Sequence, residues 1–320
     1  MIFVTVGLEK FPFDRLIRVL DQAVRRGEIG PDVFAQIGTS AYEPVHFPWT
    51  RLLSDDEIAQ RIRQADIIVS HAGVGSYLKC RELGKIPILF PRRAAFGEHV
   101  DDHQSEFVEK MAYDESLLGA WDEKELLSHI RHFPEIVRRF EERKTLPGSG
   151  SLVARLNSLA PLPAPGSKAV KPKLCLVCSS GGHCAELRFL RDFWSVRDRF
   201  WVTFEGKDAD GPLKGERILY AHSPTNRNLR NLVRNTRLAW RILRKEKPTC
   251  IVSTGAGVGV PFIYIGRILG IRTVFIETMS RVEHLSLSGR LAYPAAGIFL
   301  AQWPELARKH RKAEFHGQVI

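Results

Sequence analysis

Two short glycine turns in this 320-residue chain have residue types and spacing suited to holding an anion. In the first, an apolar run ending at Ser70 passes into His71-Ala72-Gly73-Val74-Gly75-Ser76 and then a helix-forming segment. In the second, Leu174–Cys178 passes into Ser179-Ser180-Gly181-Gly182-His183-Cys184-Ala185-Glu186-Leu187. Glycine lets the backbone approach a ligand closely, and the first N–H groups of a helix have no partner inside it. A strand, a glycine turn and a helix start together make a phosphate site. His71 and Ser76 would add side-chain donors to the first turn, beside the backbone of Gly73, Val74 and Gly75. Either turn alone also reads as an ordinary tight turn, so the weight falls on what surrounds it.

The elements that must position these turns alternate between strand and helix. In the first half, Ile2–Val6, Asp32–Ile37, Asp66–Ser70 and Ile86–Phe90 read as strands. Between and after them, Phe13–Arg26, Asp55–Gln64, Ser76–Leu83 and Asp101–Met111 read as helices, with Ser54 a fitting N-cap. In the second half, Leu174–Cys178, Phe200–Phe204, Ile218–Ala221, Cys250–Ser253, Thr273–Glu277 and Ile298–Ala301 read as strands, and Ala185–Phe193 and Leu229–Lys245 as helices. Such alternation implies βαβ units and parallel sheets. The segment Leu146–Lys173 carries Pro147, Pro161, Pro163, Pro165 and Pro172 and has the composition of a linker. The expected class is therefore α/β: two doubly wound, Rossmann-like domains, 1–145 and 173–320, joined by a linker over 146–172. A cleft between two such domains would be a natural ligand site.

Charge separates the halves. Residues 1–150 hold 20 Lys/Arg against 24 Asp/Glu, net −4; residues 151–320 hold 27 against 12, net +15. The second half should meet a polyanion, whether lipid surface, phosphorylated ligand or nucleic acid. No nucleic-acid-binding signature accompanies the charge, so nucleic acid is set aside. Arg230, Arg234, Arg237, Arg241, Arg244, Lys245 and Lys247 follow Arg227 along one helical segment, interleaved with Leu229, Leu232, Val233, Trp240 and Leu243. Two uses fit that segment: apolar face on the sheet with charges in water, or basic face against an anionic membrane. The five cysteines, including the C-x-x-C of Cys175 and Cys178, have no zinc-type partners in spacing and read as free thiols of a reducing compartment. The most apolar stretch, Pro248–Gly266, contains four glycines and two prolines and reads as strand, loop and buried helix. With Met1 leading straight into a strand-like run, the expectation is a cytoplasmic protein, peripheral on the inner face of the cell membrane.

The run from His71 to Gln104 resembles the nucleotide-sugar signature of inverting, MurG-like glycosyltransferases of the GT-B type. His71, Gly73, Ser76, Gly84, Pro91, His103 and Gln104 match it, with Pro87 displaced by one from the usual glycine-x-proline spacing. The resemblance implies that the glycine turn holds the diphosphate of a UDP-sugar and that Gln104, beside His103, binds donor-sugar hydroxyls. Lys79 stands where the family often has a ribose-binding Glu, leaving Glu82 or backbone for that task. The stretch Pro91-Arg92-Arg93 through Glu98, His99, Asp101 and Asp102 to Gln104 is similar to the catalytic subunit of paired exopolysaccharide glycosyltransferases, including β-1,4-glucuronosyl and β-1,4-galactosyl transferases. On that footing Arg92, Arg93 and Glu98 join the donor site, and an arginine fork would suit a uronate.

The second half resembles the membrane-associated partner subunit of those pairs, also known from the eukaryotic dolichol-linked second N-acetylglucosamine transferase. Ser179–Leu187, Ser253–Gly257 with Val260-Pro261, Glu277–Val282, Leu285–Arg290, Tyr293-Pro294 and Gln302–Leu306 carry the likeness in order. It implies a polyprenyl-diphosphate-linked acceptor held near Ser180, Gly181, Gly182, Gly255 and Gly257. In MurG-like enzymes the acceptor domain comes first; here the donor-like half does, as in a fusion of two subunits. His183 is the expected general base, with a phosphate-binding or capping role as its alternative; Glu277 and His284 are secondary candidates.

The expected protein is thus an inverting transferase that moves a sugar, first choice glucuronic acid in β-1,4 linkage, from UDP to a polyprenyl-linked sugar in exopolysaccharide or capsule assembly. It should need no metal and no cofactor. Galactose, glucose or N-acetylglucosamine are alternative donors. A UDP-sugar 2-epimerase and a non-catalytic scaffold are rival readings, and homo-oligomerisation is left open.

Overall fold

The computed structural model describes residues 1–7, 10–113, 117–142, 150–163, 172–206, 211, 213–225 and 228–320. Pro147, Pro165 and Arg227 lie outside the described residues. The chain divides into two compact units, Met1–Leu146 and Pro147–Ile320.

The first unit holds β1 (Ile2–Thr5), β2 (Val33–Gln36), β3 (Trp49–Thr50), β4 (Ile67–His71), β5 (Ile88–Phe90) and β6 (Leu118–Gly119). All pair in parallel, in the order β3-β2-β1-β4-β5-β6. Side chains of a strand alternate between faces, and here both faces are covered. Val4 and Val6 join Phe13, Leu16, Leu20, Val69 and Phe90 in one buried cluster, while Phe3 joins Ile62, Ile68 and Cys80 in another. Helix Asp55–Gln64 begins with a full capping box: the Ser54 hydroxyl accepts from Glu57 N, and Glu57 accepts from Ser54 N.

The second unit repeats the plan with β7 (Lys173–Val177), β8 (Asp198–Phe204), β9 (Ile218–Ala221), β10 (Cys250–Ser253), β11 (Arg272–Ile276), β12 (Ile298–Ala301) and β13 (Ala313–Phe315). The order is β13-β12-β11-β10-β7-β8-β9, again all parallel. Each sheet starts in its middle, builds outward one way, then crosses back beside its first strand. That crossing is the topological switch point of a doubly wound fold, where ligands settle at the strands' carboxyl ends. The switch points fall between β1 and β4 in the first unit and between β7 and β10 in the second.

The stretch expected to be linker is structured in part. Residues Gly150–Leu159 form a helix with Leu152 and Leu156 fully buried. Arg155 grips Glu314 with two nitrogens at 2.8 and 3.0 Å, and Arg197 donates to the carbonyl of Ala160. The prolines at 161 and 163 masked this helix, because they follow its end and interrupt nothing in it.

Candidate functional site

Each glycine turn lies at its unit's switch point. In the first unit, β4 ends at His71, and helix Val74–Glu82 starts after Gly73 with no side-chain cap. Elsewhere Ser54, Asp122, Asn228 and Ser286 fill that role. The N–H groups of Val74, Gly75 and Ser76 are left for a ligand, with the positive end of the helix dipole behind them. Gly73 has a further reason to be glycine. The His71 ring lies against it and against Gly7, and a Cβ would come within 2.2 Å of His71 at Gly73 and 2.5 Å at Gly7. His71 is thus wedged between two backbone turns and buried, with Nδ1 3.3 Å from the Ser70 hydroxyl. Burial, aided by the Arg92 charge, pushes its pKa down to about 3, so the ring is neutral. It supports the cradle from beneath, whereas the sequence had suggested an outward phosphate donor.

The donor loop is reassigned in a similar way. The Arg92 guanidinium is buried and donates to the carbonyls of Val6, Phe11, Pro12 and Glu98. It ties loops together and is not presented as a fork for a sugar carboxylate. Arg93 donates to the Trp121 carbonyl at 3.0 Å. Glu98 is buried and holds Arg15 through both oxygens at 2.9 Å, while also accepting from Arg93 N. Arg15 gave no sequence signal, since one arginine on an amphipathic helix reads as solvated. Gln104 is buried, and its Oε1 accepts from Arg92 N at 3.1 Å, which fixes the amide. Lys79, at the ribose position of the resemblance, pairs with Asp55 at 2.7 Å. Glu82 is exposed at the far end of that nine-residue helix, about 12 Å of helical rise from the turn, so it does not stand in.

His99, Asp101 and His103 form the one group among the described residues with metal-type donor atoms gathered, all within 4.8 Å of one another. Asp101 Oδ1 sits against Nδ1 of both rings, hydrogen-bonded to His103 and 3.5 Å from His99.

In the second unit the turns after β7 and β10 converge. Helices Gly182–Phe189 and Ala256–Ile268 both start after uncapped glycines, Gly181 and Gly255. Gly255 has φ +114°, and a Cβ there would come within 2.9 Å of the His183 ring. Thr254 joins the turns twice: its hydroxyl donates to the His183 carbonyl at 2.7 Å, and its own carbonyl lies 2.7 Å from His183 Nδ1. A carbonyl only accepts, so Nδ1 carries the proton and Nε2 of neutral His183 carries the lone pair. His183 keeps 27% of its side-chain surface exposed. Burial works to lower its pKa, but Glu186, the Thr254 carbonyl and Glu277 together raise it above 6.5. Ser180 and Gly182 are half-buried and Gly181 is exposed, consistent with a turn that a ligand can reach. Gly257 is packed on Thr225.

Glu277 is not a free catalytic acid. It is fully buried and accepts from Ser286 N at 3.0 Å, Ser286 Oγ at 2.9 Å and Thr278 N at 3.1 Å. Burial pushes its pKa up against those hydrogen bonds. Its work is to anchor the loop before helix Leu287–Ala292, whose N-cap is Ser286. His284 is exposed beside Glu283 and His310, apart from the His183 turn. Glu186, which the second motif includes but to which the sequence assigned no role, is buried one turn along the helix from His183.

The basic helix, Leu229–Glu246, buries a different stripe from the one its apolar residues suggested. Asn231, Asn235, Ala239, Ile242 and Leu243 face inward, with Asn235 bonded to the backbone of His222 on both sides of its amide. Leu229, Leu232, Val233 and Trp240 are exposed among the arginines. Among the described residues no helix is long and apolar enough to cross a membrane. All five cysteines are buried thiols outside any disulfide, and burial pushes the Cys80 and Cys250 thiols up to about 12.

Comparison with known proteins separates the units in the same way. The Glycosyltransferase family 28 C-terminal domain matches residues 1–130, and the family described as "Oligosaccharide biosynthesis protein Alg14 like" matches residues 220–319. These mark the chain as a glycosyltransferase, and the domain described as C-terminal in its family stands first here. Curated relatives bear the name UDP-N-acetylglucosamine transferase subunit ALG14. The Yarrowia lipolytica protein is 29% identical over 48% of this chain and 83% of its own length. The Eremothecium gossypii protein is 36% identical over 29% of this chain and 46% of its own length, and the human protein 30% identical over 26% and 41%. Apart from the first, then, the match spans less than half of these relatives. MurG of Acinetobacter baumannii superposes over 42% of either chain with 15% identity and a TM-score of 0.36, too remote to carry weight.

Proposed function

We propose that the chain transfers a sugar from a UDP-sugar to a lipid-linked sugar, with the first unit taking the donor and the second the acceptor diphosphate. The observation that carries this is the pairing of roles at the two switch points. One offers uncapped N–H groups, and the same unit fixes the amide of Gln104. The other offers two converging, uncapped helix starts beside a histidine whose Nε2 is held as the basic nitrogen. The departing UDP would be stabilised by helix-start N–H groups in place of a metal ion.

N-acetylglucosamine is the first donor to test. The buried Arg92 removes the physical argument for a uronate, and the relatives are named as UDP-N-acetylglucosamine transferase subunits. Glucuronate, galactose and glucose remain competitors in the same screen. The exposed apolar and basic side chains of helix Leu229–Glu246 support peripheral contact with an anionic membrane, where a lipid-linked acceptor resides. The test is turnover of UDP-sugars with a polyprenyl-diphosphate-linked sugar, scored by UDP release and product mass. Turnover lost in His183→Ala supports the assignment. UDP binding without transfer to any acceptor would favour a non-catalytic donor-binding role.

A further inference from the structure

The mechanism asks His183 to become an imidazolium, and the structure contains a group suited to that moment. Glu186 is fully buried. Its Oε1 is taken: it accepts from Met279 N at 2.7 Å, Thr278 Oγ1 at 3.0 Å and Gln302 Nε2 at 3.3 Å. Its Oε2 is buried with no hydrogen-bond partner among the described residues, and it lies 3.7 Å from His183 Nδ1. A buried carboxylate oxygen left unsatisfied is costly and calls for an explanation, of which a catalytic role is one.

We propose that Glu186 is a positioning residue whose carboxylate holds the positive charge that His183 acquires when it takes the acceptor's proton. This rests on the reading of His183 as the base. In the step, the acceptor hydroxyl oxygen forms the bond to the anomeric carbon while its proton passes to His183 Nε2. The bond from the anomeric carbon to the UDP oxygen breaks, and UDP leaves with the electron pair. Through this, Nδ1–H stays with the Thr254 carbonyl, which fixes the tautomer but carries no full charge. Glu186 supplies the charge. The other anionic group acting on the ring is Glu277 at the end of β11, whose oxygens are already held by Ser286 and Thr278. Glu186→Gln keeps an oxygen for Met279, Thr278 and Gln302 and replaces only the unpartnered atom, so the variant isolates charge from packing.

The experiment follows His183 by NMR of its ring nitrogens across pH in the full chain, alongside turnover. In the native protein the ring is expected to titrate above 6.5 with Nδ1 protonated in the neutral form. In Glu186→Gln the titration should fall by about one pH unit. In parallel, kcat should drop roughly 10- to 100-fold with KM for the UDP-sugar unchanged, and Glu186→Asp should recover part of the loss. A His183 titration that does not move in folded Glu186→Gln overturns the proposal. Should that variant not fold, a native His183 titrating at or below 6.5 overturns it as well. A titration that moves as expected while His183→Ala keeps full turnover leaves the charge coupling standing and removes the base reading instead.

Discussion

His183 Nδ1 lies 2.7 Å from the carbonyl oxygen of Thr254, a residue 71 positions away on the neighbouring strand's turn. This contact joins the two halves of the second switch point and decides which ring nitrogen can take a proton. His183→Ala should therefore lower kcat by about 10²–10⁴-fold, the usual contribution of a positioned base. His183→Gln, which preserves polarity without basicity, should be equally poor. Because the base must be neutral and its pKa is raised, kcat/KM should decline on acidification through a value above 6.5. A pH–rate profile checks this, and a flat profile from pH 6 to 8 would argue against the assignment.

Gly73→Ala tests the wedge in the first unit. The added Cβ would come within 2.2 Å of His71, which is hemmed in on its other side by Gly7. We expect a loss of about 2–3 kcal/mol in the first unit's stability, as for other overpacked sites, and loss of UDP binding. Gly84→Ala is the control. Its φ is +68° with nothing within 4 Å of the added atom, so it should lose only about 1 kcal/mol and keep UDP binding. Urea unfolding and calorimetric titration with UDP separate the two.

His71 also makes the first unit acid-sensitive. Its pKa is about 3 when folded and near 6.5 in an unfolded chain. Between those values the unfolded state binds a proton that the folded state refuses, so stability falls as pH drops below 6.5. The slope is about 1.4 kcal/mol per pH unit at most. Hydrogen exchange of the β1 and β4 amides at pH 7 and pH 5 should show this in the native chain and less of it in His71→Gln. Equal slopes in both proteins would contradict the account.

Glu98→Gln distinguishes scaffold from sugar contact. Glu98 is nearly buried and holds both Arg15 and the Arg93 backbone. Removing one partner of such a pair costs about 3 kcal/mol. The effect should appear as a lower melting temperature. The relative turnover of UDP-glucuronate and UDP-N-acetylglucosamine should not change. A selective change in donor preference would return Glu98 to the sugar site.

Much of this architecture was legible in the sequence. The helix Asp55–Gln64 was placed from its Ser54 cap, and the strands Cys250–Ser253 and Ile298–Ala301 were read to the residue, because uninterrupted apolar runs between polar turns have few other solutions. Short edge strands were not: β3 and β6 have two residues each and take their pairing from the sheet rather than from their own composition. Both glycine turns were found, but not which residues beside them face a ligand. Arg92, Glu98 and Glu277 are chemically competent, and sequence cannot reveal that their hydrogen bonds are spent within the fold, on backbone groups, Arg15 and Ser286. Glu186 stood within the second motif but drew no role, for the opposite reason. A glutamate three residues after a histidine on a helix reads as a surface pair until the fold buries it.

Chelation tests the donor side. Treatment with EDTA should leave turnover unchanged if helix-start N–H groups alone support the leaving diphosphate. If chelation abolishes turnover and His99→Ala or His103→Ala does the same, the cluster around Asp101 is where the ion acts.

The central claim is transfer from a UDP-sugar to a lipid-linked acceptor within this one chain. Its most direct test is to incubate the purified full chain with UDP-N-acetylglucosamine and a polyprenyl-diphosphate-linked sugar in detergent, without added metal. Product mass and UDP release are then measured. The account predicts a product heavier by one N-acetylhexosamine, with UDP in equal amount, and neither in His183→Ala. Release of UDP without a heavier lipid, or full product from His183→Ala, would contradict it.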